Sequence, residues 1–241
     1  MNISLKTVVN EVAKSRFSAL RHRAINEYNI YYSLISPVPI VCPRTAAIPE
    51  SELCQEVIEA AFSRFLQFGY HKTTMAEIAD DIGMSAANLY RYFENKQDIA
   101  AACCVKSMTE RLARLRGVVD SPGSFSARLE RYAMTMIEHT HELSSPDSRI
   151  GELVAFITRE RIDVVQEKLT IHYELIADML DKAHQAGEIN CSDVEVTAKS
   201  IYSAFVVFDV PLFVGIYSID EYKARARGIV ELITKGLLVV R

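Results

Sequence analysis

Glycine and proline are scarce in this chain, whose 241 residues include 9 glycines and 7 prolines. Strand-like alternation of apolar and polar residues is also hard to find, and both observations favour an all-α protein. No apolar run reaches the roughly 18 residues that a transmembrane helix needs. The closest run, Ala204 to Ile216, is interrupted by Asp209 and Pro211. We therefore expect a helical protein of the cytoplasm that makes no membrane contact.

The sequence also lacks metal-binding and catalytic patterns. Its 5 cysteines are odd in number and have no metal-ligand spacing. Adjacent Cys103 and Cys104 cannot readily hold one ion from a helix, and His139 and His141 would point in different directions. No nucleophile–base arrangement or phosphate-binding loop is visible, so we do not expect an enzyme. We expect reduced thiols, no metal and no cofactor, with a redox-sensing cysteine as the alternative.

A basic surplus, which would indicate nucleic-acid binding, is missing, because the formal net charge is -4. Residues 1–50 are an exception, since six basic and three acidic residues give them a net charge of +3. Prolines between Ser36 and Arg44 exclude a continuous helix there. We interpret 1–50 as a poorly ordered arm and linker without signal-peptide features. Three explanations stay open: the arm reaches DNA, has no role, or precedes the true start codon.

Helical periodicity is clear from Ser51 onward, and 49% hydrophobic residues can form a sizeable core. The first helix is predicted over 51–68, and Gly69 suits the left-handed position that ends it. Further helices are predicted over 95–118, 124–143, 147–158, 160–186, 193–216 and 220–238.

The stretch that begins at Thr73 is the most informative part of the chain. Thr73 or Thr74 is a natural N-cap, and Glu77 stands at the capping-box position relative to Thr74. Gly83 permits a sharp reversal, and Ser85 caps the helix that follows. Two short helices joined by a tight turn form a helix-turn-helix, whose second helix lies in the DNA major groove.

At these residues the chain resembles the TetR/AcrR family of bacterial transcriptional regulators. The matching segments are Phe68-Gly69-Tyr70, Thr73-Thr74-Met75, Ile78-Ala79, Gly83-Met84-Ser85 and Leu89-Tyr90-Arg91-Tyr92-Phe93 followed by Asn95-Lys96. The resemblance implies an all-α fold with an N-terminal helix-turn-helix domain and a C-terminal helical domain for ligand binding and dimerisation. We therefore divide the chain into an arm (1–50), a DNA-binding domain (51–98) and an effector-binding and dimerisation domain (99–241).

The side chains of the helix-turn-helix suit DNA. Alanines let the backbone approach base edges, and the Arg91 guanidinium can bind guanine bidentately. A helix N-terminus with hydroxyl groups favours a phosphate. The predicted DNA-contacting residues are Thr73, Thr74, Ser85, Ala86, Ala87, Asn88, Tyr90, Arg91, Tyr92 and Lys96. The family resemblance implies operator contacts for all of these except Thr73 and Ala86.

Some of these residues have structural alternatives. Tyr92 would then pack in the core, Ser85 would only cap its helix, and Arg91 would pair with Glu94 or a phosphate and read no base. Residues 51–98 also carry four basic and eight acidic residues, a net charge of -4. So few basic residues allow few phosphate contacts, which predicts that DNA affinity depends only weakly on salt concentration. The basic arm could compensate by supplying further phosphate contacts.

The C-terminal half is rich in apolar and aromatic residues at helical spacing, and the resemblance implies an effector cavity among its middle helices. A few polar groups in an apolar pocket would orient a ligand. The predicted ligand-binding residues are Tyr132, Met136, His139, Phe156, His172, Tyr173 and Asp209, with His141 as a further candidate. Asp209 lies within an apolar run, so it needs a partner: a histidine, a tyrosine hydroxyl, the other subunit or a cationic ligand.

The expected partners are a double-stranded DNA operator, an unknown small-molecule effector and a second copy of the chain. The last two helices are expected to form a four-helix bundle between two copies. The residues predicted at this interface are Tyr202, Phe205, Val206, Phe213, Ile229, Leu232, Ile233 and Leu237. The leading alternative function is an effector-independent DNA-binding protein with a structural or cell-division role.

Overall fold

The computed structural model describes residues 50–144 and 147–237. The all-α prediction is confirmed, and the arm predicted over 1–50 lies outside these residues except for Glu50. The helices are α1 Glu50–Phe68, α2 Met75–Asp81, α3 Ala86–Leu89, α4 Lys96–Val119, α5 Phe125–Leu143, α6 Ile150–Glu160, α7 Ile162–Gln185, α8 Val194–Asp209 and α9 Ile219–Leu237. A 3₁₀ helix, Pro211–Phe213, lies between α8 and α9. None of the helices in the two described ranges has the length and apolar character that crossing a membrane requires.

Local signals at the helix ends form as the sequence predicts. Thr74 is the N-cap of α2 and forms a capping box with Glu77. Gly83 has a positive φ of 67° in the turn, and the Ser85 hydroxyl accepts the Asn88 N–H at 3.2 Å as the N-cap of α3. Gly69 also has a positive φ, 90°, directly after α1. These contacts set the two short helices at a fixed angle to each other.

Helix α4 belongs to both halves of the molecule. Its first turns pack on α1, where the Cys103 thiol donates to the Ile58 carbonyl at 3.4 Å. Its later turns place Leu112 and Leu115 in the core of the C-terminal half, which α4 shares with α5, α7, α8 and α9. The domain boundary predicted between 98 and 99 therefore falls inside one continuous helix, so the two halves cannot move independently at that point.

Three sequence predictions need correction. The helix predicted over 193–216 ends at Asp209, because Pro211 lacks the N–H that would continue it. Tyr202 and Phe205, predicted at the dimer interface, are 2% and 0% exposed in the core of a single chain. Cys103, Cys104 and Cys191 are free thiols, whereas Cys54 is disulfide-bonded, so the expectation of reduced thiols is wrong for that residue.

The loop between α1 and α2 contacts α6 of the C-terminal half. The Tyr70 ring stacks on Phe156 with 4.2 Å between ring centres. The Glu152 carboxylate accepts the His71 N–H at 3.3 Å and lies directly against Gly69. A Cβ at Gly69 would overlap with that carboxylate. We call these contacts of Tyr70, Phe156, Glu152, His71 and Gly69 the α6 junction.

We predict that Gly69→Ala destabilises the protein more than Gly83→Ala. Both positions have positive φ, which costs a non-glycine residue about 1–2 kcal/mol. A Cβ at Gly83 meets open space, but a Cβ at Gly69 displaces Glu152 from the His71 N–H. The displacement adds about 1 kcal/mol, the value of one hydrogen bond.

Urea unfolding of the two variants measures this difference in the free energy of unfolding. The excess cost of Gly69→Ala should disappear in a Glu152→Ala background. Equal costs for both variants in the wild-type background would show that the Glu152 contact contributes nothing.

Candidate functional site

The recognition segment consists of α3 and the turn after it, residues 85–93. Leu89 and Phe93 are 0% and 8% exposed, and they fix the segment to the rest of the domain. Its other face carries the predicted DNA-contacting groups. Those exposed to solvent are Ser85, Ala87, Tyr90 and Arg91, and those half-buried are Ala86, Asn88 and Tyr92. The segment therefore presents small and hydrogen-bonding side chains on a face whose reverse side is held in the core.

Arg91 is free to meet DNA. Its side chain is exposed, and it forms no hydrogen bond or ion pair with residues 50–144 or 147–237, so the alternative pairing with Glu94 is not observed. Arg64 differs, because Asp81 and Glu77 hold its guanidinium, and the Asp81 hydrogen bond raises the Arg64 pKa. An unpaired arginine on an exposed recognition segment can bind a base edge or a phosphate.

Thr73 and Thr74 differ in their availability. The Thr73 side chain is 1% exposed and its hydroxyl donates to the Gly69 carbonyl at 2.9 Å, which argues against a phosphate contact by this side chain. Thr74 is exposed, and its N–H and hydroxyl both donate to Glu77 at 2.8 Å. A DNA contact by Thr74 stays a prediction. In it, a phosphate accepts from the Thr74 N–H or hydroxyl, either together with the Glu77 carboxylate or in its place.

Lys96 supports the loop before α2. Its amine donates to the carbonyls of Tyr70 and Thr73 at 2.7 and 2.8 Å and lies 4.4 Å from the centre of the Tyr70 ring. A third and longer contact reaches the His71 carbonyl at 3.5 Å, and burial lowers the Lys96 pKa. This arrangement argues against the predicted phosphate clamp, because all three ammonium protons already have acceptors.

Polar side chains from α4, α5, α7 and α8 meet inside the C-terminal half. Of the predicted ligand-binding residues, the structure brings Tyr132, His172 and Asp209 together there, and it adds Arg111, Lys168 and Tyr202. We call these six residues the interior charge cluster. All of them are buried except Lys168, whose side chain is 20% exposed.

Asp209 is the centre of the cluster. Its Oδ1 accepts from Arg111 Nη1 at 2.5 Å, and its Oδ2 accepts from Lys168 Nζ at 2.6 Å. The Tyr202 hydroxyl donates to the same Oδ2, and His172 Nε2 lies 3.9 Å from it. The expectation that Asp209 has a partner is confirmed. A cationic ligand is not needed, since two side-chain cations already fill that role.

The protonation states follow from burial and from these charges. Burial alone would raise the Asp209 pKa, but the charges of Arg111 and Lys168 outweigh it and hold the pKa well below its usual range. Burial lowers the His172 pKa to about 3, so the ring is neutral near neutral pH. Burial also raises the Tyr132 pKa, so its hydroxyl keeps its proton. Burial lowers the Lys168 pKa, and the charge of Asp209 opposes that shift. With the Lys168 ammonium protonated, the formal charges of Arg111, Lys168 and Asp209 sum to +1.

The other predicted ligand residues lie outside the cluster or at its edge. Met136 is buried in the core. His139 Nε2 is 3.5 Å from the Ser107 hydroxyl, and burial lowers the His139 pKa to about 4. The half-buried Tyr173 meets Tyr202 edge to face, with 5.6 Å between ring centres. Phe156 stacks on Tyr70 at the α6 junction, so it links the two halves rather than facing the cluster.

The sequence does carry a signal for the two cations that the prediction missed. Arg111 follows Met108 by three residues and precedes Leu115 by four, so it lies on the buried stripe of α4. Lys168 precedes His172 by four residues on the matching stripe of α7. A charged residue on a buried helical stripe is rare unless it is paired. Both positions could therefore have been identified as partners for a buried carboxylate.

Two protein-family models, one for each half of the chain, match this sequence. The one described as "Bacterial regulatory proteins, tetR family" matches residues 57–103, and the one described as "Tetracyclin repressor-like, C-terminal domain" matches residues 126–230. Together they cover more than half of the chain. The first match contains the recognition segment, and the second contains most of the C-terminal core.

Individual relatives are distant but extend over most of the chain. The "Fatty acid metabolism regulator protein" of Bacillus subtilis is 22% identical over 189 residues, which cover 76% of this chain and 94% of the relative. A TetR-family transcriptional regulator of Pectobacterium atrosepticum has the same fold, with a TM-score of 0.61, 19% identity and coverage of 82% and 99%. The transcriptional regulator FadR of Bacillus subtilis in complex with stearoyl-CoA superposes with a TM-score of 0.57, 20% identity and coverage of 76% and 98%.

We predict that Asp209→Ala costs about 3–5 kcal/mol of the free energy of unfolding, because it leaves the buried Arg111 beside Lys168 without a counter-charge. The matched control is Asp178→Ala, which removes a partly exposed carboxylate that pairs with Arg116 at 2.9 Å and with Lys182 at 3.2 Å. Each of these pairs should contribute about 1 kcal/mol or less. Urea unfolding measures both changes, and similar losses for the two variants would contradict the central role of Asp209.

Proposed function

We propose that this chain, which belongs to the TetR family of bacterial regulatory proteins, is a transcriptional repressor that binds a palindromic operator as a homodimer. A small, largely apolar effector releases it from DNA. We assign it no catalytic activity and place it in the cytoplasm with the DNA it binds. The observation that carries this proposal is the exposed, unpaired Arg91 on a recognition segment that Leu89 and Phe93 hold in the core.

Base reading is assigned to the exposed face of the recognition segment. Ala86 and Ala87 have no side chain beyond Cβ, so the α3 backbone can approach the base edges closely. Asn88 can pair with adenine, and Arg91 can bind guanine with two hydrogen bonds. The hydroxyl groups of Tyr90 and Tyr92 are suitable donors to flanking phosphates.

Affinity for DNA should depend more on base contacts than on charge. Within the described part of residues 51–98, Arg64 is engaged by acidic side chains and Lys96 by main-chain carbonyls. Lys72 and Arg91 are both exposed and without such partners. Because each phosphate contact releases counterions, two available cations per subunit imply a weak dependence of operator affinity on salt.

The proposed dimer uses the last two helices and the connection between them. Six of the nine exposed large hydrophobic residues among those that the structure describes lie in this region. They are Val196, Val206, Leu212, Phe213, Ile216 and Leu232. Leu232, at 73% exposed, is the most accessible of them. A second copy of the chain that packs over these residues would remove their apolar surface from water. A dimer is also required to read two half-sites.

The proposed release acts through α4 and the α6 junction. An effector bound among α4, α5, α7 and α8 would shift α4, whose first turns pack against the DNA-binding half. The two recognition segments of the dimer would then no longer match the operator spacing. To release the repressor, the effector needs to bind the released state more favourably than the DNA-bound state by about 1–3 kcal/mol. An effector with a long apolar part is supported by the comparisons with Bacillus subtilis, which give a fatty acid metabolism regulator and the regulator FadR in complex with stearoyl-CoA.

We predict that selection from a random duplex library yields a palindromic consensus with the wild type, and that Arg91→Ala relaxes one position in each half-site. The lost contact should reduce affinity for the preferred base by about 1–3 kcal/mol. The matched control is Arg159→Ala, which removes an exposed arginine of the C-terminal half whose one ion pair among the described residues is with its neighbour Glu160. Enrichment of no sequence, or equal effects of both variants, would contradict the proposed base-reading role.

We predict that Leu232→Glu converts the dimer to a monomer, because a carboxylate would have to be buried in the apolar interface. Sedimentation velocity at several protein concentrations measures the change, and operator affinity should fall with it. The control is Ile162→Glu, which makes the same kind of change at a 54% exposed residue outside the last two helices. A Leu232→Glu protein that sediments as the wild type does would exclude this interface.

A further inference from the structure

The interior charge cluster has one positive charge too many. Arg111 and Lys168 both contact Asp209. The three ring groups of the cluster are neutral, because burial lowers the His172 pKa and raises the pKa of Tyr132 and of Tyr202. A net charge inside a folded protein is costly unless a counter-ion is close. The cluster as it stands in the protein alone is therefore electrostatically incomplete by one negative charge.

Two buried nitrogen atoms in the cluster also lack acceptors. Arg111 Nε and His172 Nε2 form no hydrogen bond with any residue that the structure describes, although their own residues are 5% and 0% exposed. The Tyr132 hydroxyl lies 2.5 Å from His172 Nδ1. Since this hydroxyl keeps its proton, we assign Nδ1 as the acceptor and place the ring proton on Nε2. Both unpartnered nitrogens are then donors, and each leaves a hydrogen bond unmade.

The excess positive charge would be neutralised by one negative charge, and the two unpaired N–H groups would be satisfied by hydrogen-bond acceptors. A single anionic group that accepts hydrogen bonds meets both requirements. Lys168 is the least buried member of the cluster, since its side chain is 20% exposed while its ammonium reaches Asp209. Buried apolar residues continue from the cluster on the same helices, among them Met136 on α5 and Phe205 on α8. A ligand with an anionic end and an apolar body suits both parts of this interior.

We propose that the interior charge cluster binds the carboxylate of an amphipathic effector, between Lys168 and Arg111. A carboxylate supplies one negative charge and two acceptor oxygens, whereas a phosphate monoester would bring about two charges at neutral pH. Arg111 lies on α4, so a ligand that pulls on its guanidinium acts on the helix that leads to the DNA-binding half. The inference rests on the proposed function only in naming the anion an effector.

The test is direct binding to the full chain, measured by isothermal titration calorimetry. The probes are straight-chain carboxylates from acetate to stearate, each below its micelle concentration, and the primary alcohols of the same lengths. We expect the best carboxylate to bind at least about tenfold more tightly than the matching alcohol, since a buried charge-assisted contact contributes more than a neutral one. Equal binding of carboxylate and alcohol, or no binding by any carboxylate of the series, would overturn the proposal.

Lys168→Gln is the informative variant. It removes the excess charge but leaves the Arg111–Asp209 pair intact, so the fold should be preserved, and carboxylate affinity should fall about 10- to 100-fold while alcohol binding stays unchanged. The control is Lys182→Gln on the same helix, whose lysine is 44% exposed and paired with Asp120 and Asp178. Carboxylate affinity that is unchanged in Lys168→Gln, or reduced equally in both variants, would contradict the assignment.

Operator binding by the same preparations separates the two proposals. A protein that binds a selected operator but no carboxylate would leave the repressor function standing and refute the anion site. A protein that binds carboxylates through Lys168 but no specific DNA would refute the repressor and leave a ligand-binding site. The two measurements use different ligands, so neither result depends on the other.

Discussion

The contact between Asp209 and Arg111 connects the parts of the C-terminal half that have to act together. Asp209 is the last residue of α8, and it holds Arg111 of α4 and Lys168 of α7 through separate carboxylate oxygens. Because these ion pairs are buried, separating Asp209 from Arg111 or from Lys168 would leave a charge without its partner. The positions of three helices are thereby fixed relative to one another by one side chain.

The same contact lies on the path to DNA. Helix α4 carries Arg111 in the interior and packs on α1 at its other end, near Cys103. A second connection runs through the α6 junction, where Tyr70 stacks on Phe156. The Lys96 amine donates to the Tyr70 carbonyl and so fixes the loop that carries this ring. Since packed helices shift as rigid units, a change at the cluster can reach the recognition segment without unfolding any element. Structure and proposed regulation thus depend on one set of buried polar groups.

Local features of the fold were predictable from the sequence because they depend on neighbouring residues. The capping box of Thr74, the turn at Gly83 and the cap at Ser85 each involve residues within a few positions of one another. The exposed position of Arg91 followed from the same local pattern.

Long-range pairings were not predictable in the same way. Arg111 and Asp209 are 98 positions apart, and helical periodicity identifies a buried face without identifying what packs against it. For the same reason Tyr202 was assigned to the dimer interface although it contacts Asp209, and Phe156 to the ligand site although it meets Tyr70. Thr73 and Thr74 were both predicted as DNA contacts because each carries a hydroxyl at a helix N-terminus, and only packing distinguishes the two.

In the proposed regulation, ligand binding in the interior changes how the recognition segments meet DNA. Fluorescence anisotropy can measure operator affinity while the tightest-binding carboxylate is titrated. We expect saturating ligand to weaken operator binding by about 5- to 150-fold. Operator affinity that stays constant at saturating ligand would contradict the proposed regulation and would favour an effector-independent DNA-binding protein.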